Sequence, residues 1–170
     1  PVHVSATTGS TGAGQALSES THYSKRNNNH SAYKSFEHQH LDEILGSISG
    51  LQPSWPGELN FIPNRGSFTR GIHASVYTSV SGSLDVLHRM YEAYYLDHPF
   101  THVSAQPIDV KSVVNTNKCI MNLEKHGDKL LIHAAIDNLL KGASGQAVQN
   151  MNLMQGYPET AGLKLKAVAF

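Results

Sequence analysis

The chain has 170 residues, 39% of them hydrophobic, which is enough apolar material for one core, so we expect a single domain over residues 1–170. Thirteen basic residues balance thirteen acidic residues without a Lys/Arg cluster, which argues against nucleic acid as a partner. The sequence has no apolar run that would span a bilayer, no signal-peptide layout and one cysteine, so we expect a cytoplasmic protein without a membrane partner.

The first segment predicts a strand followed by a glycine-rich turn. Residues 2–6 alternate as a strand does, and Gly9, Gly12 and Gly14 follow in the pattern G-x-x-G-x-G. This spacing is neither a Walker A loop nor the G-x-G-x-x-G dinucleotide fingerprint, so by itself it predicts an ordinary tight turn. The strand begins without an initiating Met or a lead-in, and we therefore expect the chain to be part of a longer protein.

An extended loop and a helix are expected next. Residues 18–31 are rich in Ser, Asn and His, which favours an extended loop. Apolar residues recur at helical spacing from Leu41, and Asp42 and Glu43 lie in the first turn, where the helix dipole favours acids. Gly50 is the expected end of this helix.

The remaining segments alternate between strand and helix patterns. Five strands are predicted, with the last two joined by a Gly-containing hairpin turn, at residues 59–62, 71–80, 100–105, 119–123 and 129–136. An amphipathic helix over Leu84–Tyr95 begins after Ser83, and a last helix runs from about residue 142 to 154. The combination predicts an α+β domain whose mixed, largely antiparallel sheet is covered by helices on one face.

Two imidazoles and a carboxylate, His38, His40 and Glu43, lie at the start of the predicted helix. Imidazole titrates near neutral pH and can move a proton or hold a thiolate ionised, although spacing alone is explained more simply by a solvated histidine at position 38. The same residues could ligate zinc. However, the two histidines would point in different directions on a helix and no cysteine pair supports them, so no metal site is predicted.

Five segments, in order, resemble the C-terminal portion of N-acetyl-gamma-glutamyl-phosphate reductase. They cover nearly the whole chain and comprise residues 8–14, residues 33–43 (Tyr33, His38, His40 and Glu43), 68–72, 115–119 and 137–147, the last of which also resembles aspartate-semialdehyde dehydrogenases. The resemblance implies the substrate and dimerisation domain of an NADPH-dependent enzyme of arginine biosynthesis. It also implies the fold of the second domain of glyceraldehyde-3-phosphate dehydrogenase relatives.

The resemblance further implies a reaction and roles for residues. In that family a cysteine thiolate attacks the acyl phosphate, phosphate leaves, and hydride from NADPH reduces the thioester to the semialdehyde. The implied catalytic imidazole is His38, and the implied substrate contacts are Tyr33, His40, Glu43 and Arg70. The nicotinamide side of NADP would lie where glycines let backbone amides approach it, at Gly9, Thr11, Gly12 and Asn138.

Two of these assignments have simpler interpretations in the residues alone. A structural ion pair explains Arg70 as well as substrate binding does, and packing near His38 explains Tyr33 more simply. The apolar stripe of the predicted helix, formed by Leu84, Leu87, Tyr91 and Tyr94, is assigned to the core or to a subunit interface, without chemistry.

Two expected parts of such an enzyme are missing. The family's nucleophile lies in a Gly-Cys motif upstream of the first strand, whereas Cys119 lies in a predicted strand and is interpreted as a small buried side chain. The Rossmann fingerprint is also missing. We therefore expect a partner N-terminal NADP-binding domain that packs on the helix at 142–156, no acyl-phosphate reduction by the chain alone, and a homo-oligomer. A non-catalytic oligomerisation or interaction module of the same fold fits the missing cysteine equally well.

Overall fold

The computed structural model describes residues 1–167. Its centre is a seven-stranded sheet with the strand order β2-β3-β1-β4-β7-β6-β5. The strands are β1 (Val2–Thr8), β2 (Ser31–Ala32), β3 (Leu59–Arg65), β4 (Ile72–Ser79), β5 (Thr101–Ser104), β6 (Cys119–His126) and β7 (Lys129–Ile136). The pairs β1/β3 and β5/β6 are parallel and the others are antiparallel, which confirms the predicted mixed sheet.

Four α-helices accompany the sheet in the described residues. They are α1 (Tyr23–Arg26), α2 (Leu41–Leu51), α3 (Leu84–Tyr95) and α4 (Gly145–Met154). The range predicted for α3 is confirmed, and its Ser83 cap accepts a hydrogen bond from the amide of Val86. The β6–β7 hairpin turns at Gly127, whose φ of 61° lies in the left-handed region that glycine adopts without strain.

The sheet has two faces of different chemistry. One row of opposed residues crosses five strands on the face that carries α3, and it is apolar throughout: Phe61, Val4, Val76, Ile132 and Leu123. Leu87 of α3 is buried against this face together with Leu123 and Leu130. The hydrophobic effect therefore fixes α3 on this side of β6 and β7.

The opposite surface, which we call the open face, is lined mainly by polar and histidine side chains. Three rows of opposed residues form it: Asn60, His3, Tyr77, Leu131 and Glu124; Ile62, Ser5, Ser75, His133, Asn122 and Ser104; Asn64, Thr7, His73, Ala135, Ile120 and His102. The chain exposes 10657 Å², whereas a compact monomer of 18.5 kDa would expose about 8,200 Å². The difference is on the scale of the area that a protein interface buries.

Three local predictions were wrong. Residues 18–31 hold a 3-10 turn, Glu19–Thr21, and α1 rather than a wholly extended loop, because the side chains of Thr21 and His22 cap these turns. The α2 helix continues through Gly50 to Leu51, since its backbone ladder tolerates an exposed glycine.

The last helix begins earlier than predicted. A π-helical turn over Leu140–Ser144 precedes α4. It starts at this point because the Asp137 carboxylate accepts the amides of Leu139 and Leu140. The sequence pattern did not reveal this cap, which precedes the apolar positions of the helix.

Candidate active site

The glycine-rich turn after β1 packs against the corner that precedes β4. The amide of Gly9 donates to the Gly71 carbonyl at 2.8 Å, and the amide of Thr11 donates to the Thr69 carbonyl at 3.1 Å. A Cβ on Gly9 would lie 2.5 Å from the Thr69 oxygen, so only glycine allows this approach. Two backbone segments about sixty residues apart therefore form one rigid corner.

Asn138 joins the two segments at the end of β7. Its Oδ1 accepts the amide of Gly71 at 2.7 Å, and its Nδ2 donates to Thr11 Oγ1 at 3.0 Å. Thr11 Oγ1 in turn donates to the Thr69 carbonyl at 2.7 Å. The structure thus brings together the four residues predicted to meet a cofactor, which are Gly9, Thr11, Gly12 and Asn138.

The amides of this turn have partners within the chain. Those of Gly9, Thr11, Gly12 and Gly14 all donate to backbone carbonyls. The turn therefore presents a bare backbone surface rather than a nest of free N–H donors. A Cβ on Gly12 would lie 3.0 Å from Thr8 Oγ1 and 3.8 Å from Asn138 Nδ2, so glycine there leaves the space beside both side chains open.

Arg70 lies in the same corner and forms an ion pair with a buried carboxylate. Its Nη2 is 2.8 Å from Asp137 Oδ2, and Asp137 is fully buried. Burial raises the pKa of Asp137, but hydrogen bonds from the amides of Asn115, Leu140 and Leu139 and from Arg70 outweigh burial, so its pKa lies below the ordinary value. Sequence analysis did not single out Asp137. A strand-end Asp before a helix start is the signal that would have found it.

His38 lies in a second group of side chains, on the segment between β2 and α2. Its ring makes edge contacts with Tyr33 at 5.5 Å, His40 at 4.7 Å and Phe61 at 5.5 Å between centroids. Because Phe61 belongs to the apolar row of the sheet, the ring of His38 lies over the same face as α3. The ring is half-buried among aromatic neighbours.

The surroundings of His38 determine its charge and tautomer. Burial, followed by the charges of His40 and Lys34, lowers the pKa of His38 below the ordinary value of 6.5, so the ring is neutral at physiological pH. The backbone amide of His40 donates to His38 Nδ1 at 3.3 Å. The neutral ring then carries its proton on Nε2, which is available as a donor.

Of the other predicted substrate residues, Tyr33 and His40 contact the ring of His38, whereas Arg70 lies in the corner described above. His40 and Glu43 are exposed at the start of α2. Tyr33 lies beneath the guanidinium of Arg65, whose Cζ is 4.6 Å from the ring centroid. The contact of Arg65 with Tyr33 was not predicted, because nothing in the sequence indicates that the chain before α2 folds back along β3.

The ring of His38 and the glycine turn lie at different levels of the sheet. His38 contacts Phe61, which is level with Val4 of β1, whereas the glycine turn begins after Thr8, which is level with Arg65. Four residues of strand correspond to about 13 Å. Tyr33 contacts His38 and also lies beneath Arg65, so it lies between the two levels.

Cys119 lies at the start of β6, half-buried, in a cavity lined also by Tyr95 and Lys141. Burial raises the pKa of its thiol, which Lys141 only partly offsets. Within residues 1–167, no three His, Cys, Asp or Glu side chains are arranged to hold a metal ion. No helix in the described part of the chain has the length and apolar character to cross a membrane.

Comparison with known proteins agrees with the fold and with the resemblance in the sequence. N-acetyl-gamma-glutamyl-phosphate reductase of Christiangramia forsetii is 59% identical over 169 residues, which are 99% of this chain and 53% of the relative. The enzyme of the same name from Bacteroides fragilis is 57% identical over 99% of this chain and 52% of its own length. The resemblance is confirmed, and the chain spans about half the length of these relatives.

The similarity to solved structures is at low sequence identity, so it shows the fold only. Aspartate semialdehyde dehydrogenase II of Vibrio cholerae superposes with a TM-score of 0.68 at 14% identity, over 91% of this chain and 54% of that protein. A probable aspartate-semialdehyde dehydrogenase of Pseudomonas aeruginosa gives 0.68 at 12% identity over the same shares. The predicted fold class is thereby confirmed.

A family profile identifies the domain type. The profile described as the semialdehyde dehydrogenase, dimerisation domain, matches residues 1–138, which include the whole sheet and both groups of candidate residues. This chain therefore belongs to the family of semialdehyde dehydrogenase dimerisation domains.

Proposed function

We propose that this domain is the substrate-binding and dimerisation half of a reductase that converts N-acetyl-gamma-glutamyl phosphate to N-acetyl-glutamate semialdehyde with release of phosphate. The observation that carries the proposal is the 59% identity, over 169 residues, to an enzyme named for this substrate. The nucleophilic cysteine and most of the NADP site would come from a nucleotide-binding half, and the 170-residue chain alone would have no turnover.

The catalytic contribution of this domain is the imidazole of His38. Because Nδ1 accepts the His40 amide, Nε2–H is free to donate to a thiolate or to the oxyanion that forms when the thiolate attacks the acyl carbon. Tyr33 and Phe61 hold the ring from two sides. The thiol would lose its proton to solvent, and the neutral imidazole would then stabilise the thiolate by donating a hydrogen bond from Nε2.

Arg70 would bind the anionic groups of the substrate. Tyr33, His40 and Glu43 would be further contacts to other parts of the substrate. A guanidinium offers a planar fork that matches a phosphate or a carboxylate, and the proposed substrate carries both. One nitrogen of Arg70 is bound to Asp137, and the side chain keeps 30% of its surface exposed. The exposed part is available to the substrate.

The cofactor surface would be the turn formed by Gly9, Thr11, Gly12 and Asn138. Bound NADPH supplies the hydride. The support in this chain is the space beside Thr8 and Asn138 that a side chain at Gly12 would fill. The turn would contact the nicotinamide side by van der Waals packing and by the amide of Asn138, since its backbone amides are already paired.

Two surfaces would be covered in the assembled enzyme. We propose that the open face pairs with a second copy of the chain, because the profile is that of a dimerisation domain and the exposed area exceeds that of a compact monomer. The helical segment at 142–156 would pack on the nucleotide-binding half. Met151, Leu153 and Met154 there are 50%, 56% and 81% exposed.

The test is activity of the polypeptide in which this domain follows a nucleotide-binding half with a Gly-Cys motif. NADPH oxidation that depends on N-acetyl-gamma-glutamyl phosphate is expected, and His38→Asn should lower kcat by about 10²-fold or more. His22→Asn is the control, because His22 is exposed at the start of α1, and this variant should keep the wild-type kcat. A polypeptide that folds, binds NADPH and shows no turnover would contradict the proposal and favour a non-catalytic interaction module.

A further inference from the structure

We infer that Asp137 is a positioning residue for substrate recognition, which holds the Arg70 guanidinium by one nitrogen so that its remaining edge faces the anionic substrate. The inference rests on the proposed function, in which Arg70 binds an anionic group of the substrate. It assigns a role to a residue that touches neither substrate nor cofactor. The argument begins with the contacts of the buried carboxylate.

Asp137 is ionised and has partners on both oxygens. Oδ1 accepts the amides of Leu139 at 2.8 Å and Leu140 at 2.9 Å, and Oδ2 accepts the amide of Asn115 at 2.7 Å. A buried carboxylate is stable when it has such donors. Three backbone amides from two segments therefore fix the position of the carboxylate independently of Arg70.

Within residues 1–167, the Arg70 side chain is held at one point. Its Nη2 makes the single 2.8 Å contact to Asp137 Oδ2, rather than a two-nitrogen fork. Its Nε is buried and has no protein partner within the described residues. Because a buried Nε cannot be reached from solvent, the 30% of the side chain that stays exposed is the part of Arg70 that an anion can contact.

The backbone on each side of Arg70 is also fixed. Gly71 has a φ of 109°, and the side chain of Val110 occupies the place where a Cβ on Gly71 would lie. Asn138 Oδ1 binds the Gly71 amide. Two adjacent residues at the end of β7 therefore bind two adjacent residues just before β4. The Asp137 side chain binds the Arg70 side chain, and the Asn138 side chain binds the Gly71 amide.

This arrangement predicts which kinetic parameter depends on Asp137. A preorganised guanidinium favours binding of the substrate anion in the ground state and the transition state alike, so its loss raises KM and leaves kcat nearly unchanged. Asp137 lies away from the His38 group, which carries the proposed chemistry. Its effect on the reaction should therefore pass entirely through Arg70.

A double-mutant cycle in the full-length active polypeptide tests the inference. Asp137→Asn, which keeps the shape but only one of the two acceptor oxygens, should raise KM for the acyl phosphate about tenfold with kcat within about threefold. In the Arg70→Ala background, the same change should leave KM unaltered. Equal increases of KM in both backgrounds would overturn the inference, because Asp137 would then act independently of Arg70.

A second variant keeps the inference testable if Asp137→Asn does not fold. Arg70→Lys retains a cation beside Asp137 but loses the planar fork, and it should raise KM nearly as much as Arg70→Ala while the Tm stays near that of the wild type. A wild-type KM in Arg70→Lys would contradict the inference.

The matched control is Asp128→Asn. Asp128 is exposed in the β6–β7 turn, at the opposite end of β7 from Asp137, and its Oδ2 accepts the Ser79 hydroxyl at 3.2 Å. Its KM should equal that of the wild type. If the wild-type polypeptide shows no turnover, the proposed function fails, whereas an active enzyme with additive KM effects contradicts only the role of Asp137.

Discussion

Asn138 Nδ2 and Thr11 Oγ1 are 127 residues apart in the sequence and form a 3.0 Å hydrogen bond. The bond is one part of a chain that runs from the Gly71 amide through the Asn138 side chain and Thr11 Oγ1 to the Thr69 carbonyl. Three separate segments therefore share one polar network at the ends of β1, β4 and β7. Such networks hold loops in one arrangement, as a candidate cofactor surface requires.

Removal of the Asn138 side chain should destabilise the domain. In Asn138→Ala the buried Gly71 amide loses its acceptor, and an unpaired buried donor costs about 1–3 kcal/mol. Urea unfolding measures the change. Asn150→Ala, on the exposed side of α4, is the control and should lie within about 0.5 kcal/mol of the wild type.

Two glycines should respond to alanine in opposite directions. Gly9→Ala would place a Cβ 2.5 Å from the Thr69 carbonyl oxygen, so the corner must move apart and the free energy of unfolding should fall by about 1–3 kcal/mol. Gly46→Ala lies in α2 with open space around it, and it should stabilise the chain by up to about 1 kcal/mol. Equal effects of the two substitutions would contradict this account of the corner.

Acid should weaken the fold partly through His73 on the open face. Burial, and then the charge of His133, whose ring centroid is 5.3 Å away, lowers the pKa of His73 below 6.5. The unfolded chain then binds the proton more readily, so the stability that neutral His73 contributes is present above about pH 6.5 and is lost as the pH falls toward the folded pKa.

Thermal unfolding between about pH 8 and pH 5 checks this effect of His73. The side chains that face His73 across the strands are Thr7 and Ala135, and the neighbouring titratable group is His133, which is itself 3.7 Å from Glu124. His73→Gln should reduce the fall of the Tm with pH. A residual fall should remain, because burial also lowers the pKa of His38 and of His102. An unchanged slope in the variant would contradict the assignment.

A charge in the middle of the open face should break the proposed pairing of two copies. Ser75 lies in the central row, where its Oγ is 3.1 Å from His133 Nδ1. Ser75→Glu would bury a carboxylate in the interface with the His133 ring as its one neighbour from this strand pair, and burial of a charge that is not fully hydrogen-bonded is strongly unfavourable. Sedimentation velocity should then report a monomer. Ser49→Glu on the exposed side of α2 should leave the dimer intact, and a dimer in both variants would place the interface elsewhere.

The amino-acid sequence by itself determined the features that depend on near neighbours. Helix α3 follows from its apolar spacing and the Ser83 cap, and the β6–β7 hairpin follows from alternation around Gly127, because these patterns act within a few residues. The candidate residues His38, Arg70 and Asn138 could also be identified from the sequence, because they lie in segments that resemble a known family.

Only the tertiary structure decided which of these residues meet. The pairing of Asp137 with Arg70, the position of Arg65 over Tyr33, and the separation of the His38 group from the glycine turn depend on strand register. Register is set by the burial of the whole apolar row from Phe61 to Leu123, to which five strands contribute, and no short window of sequence contains that information.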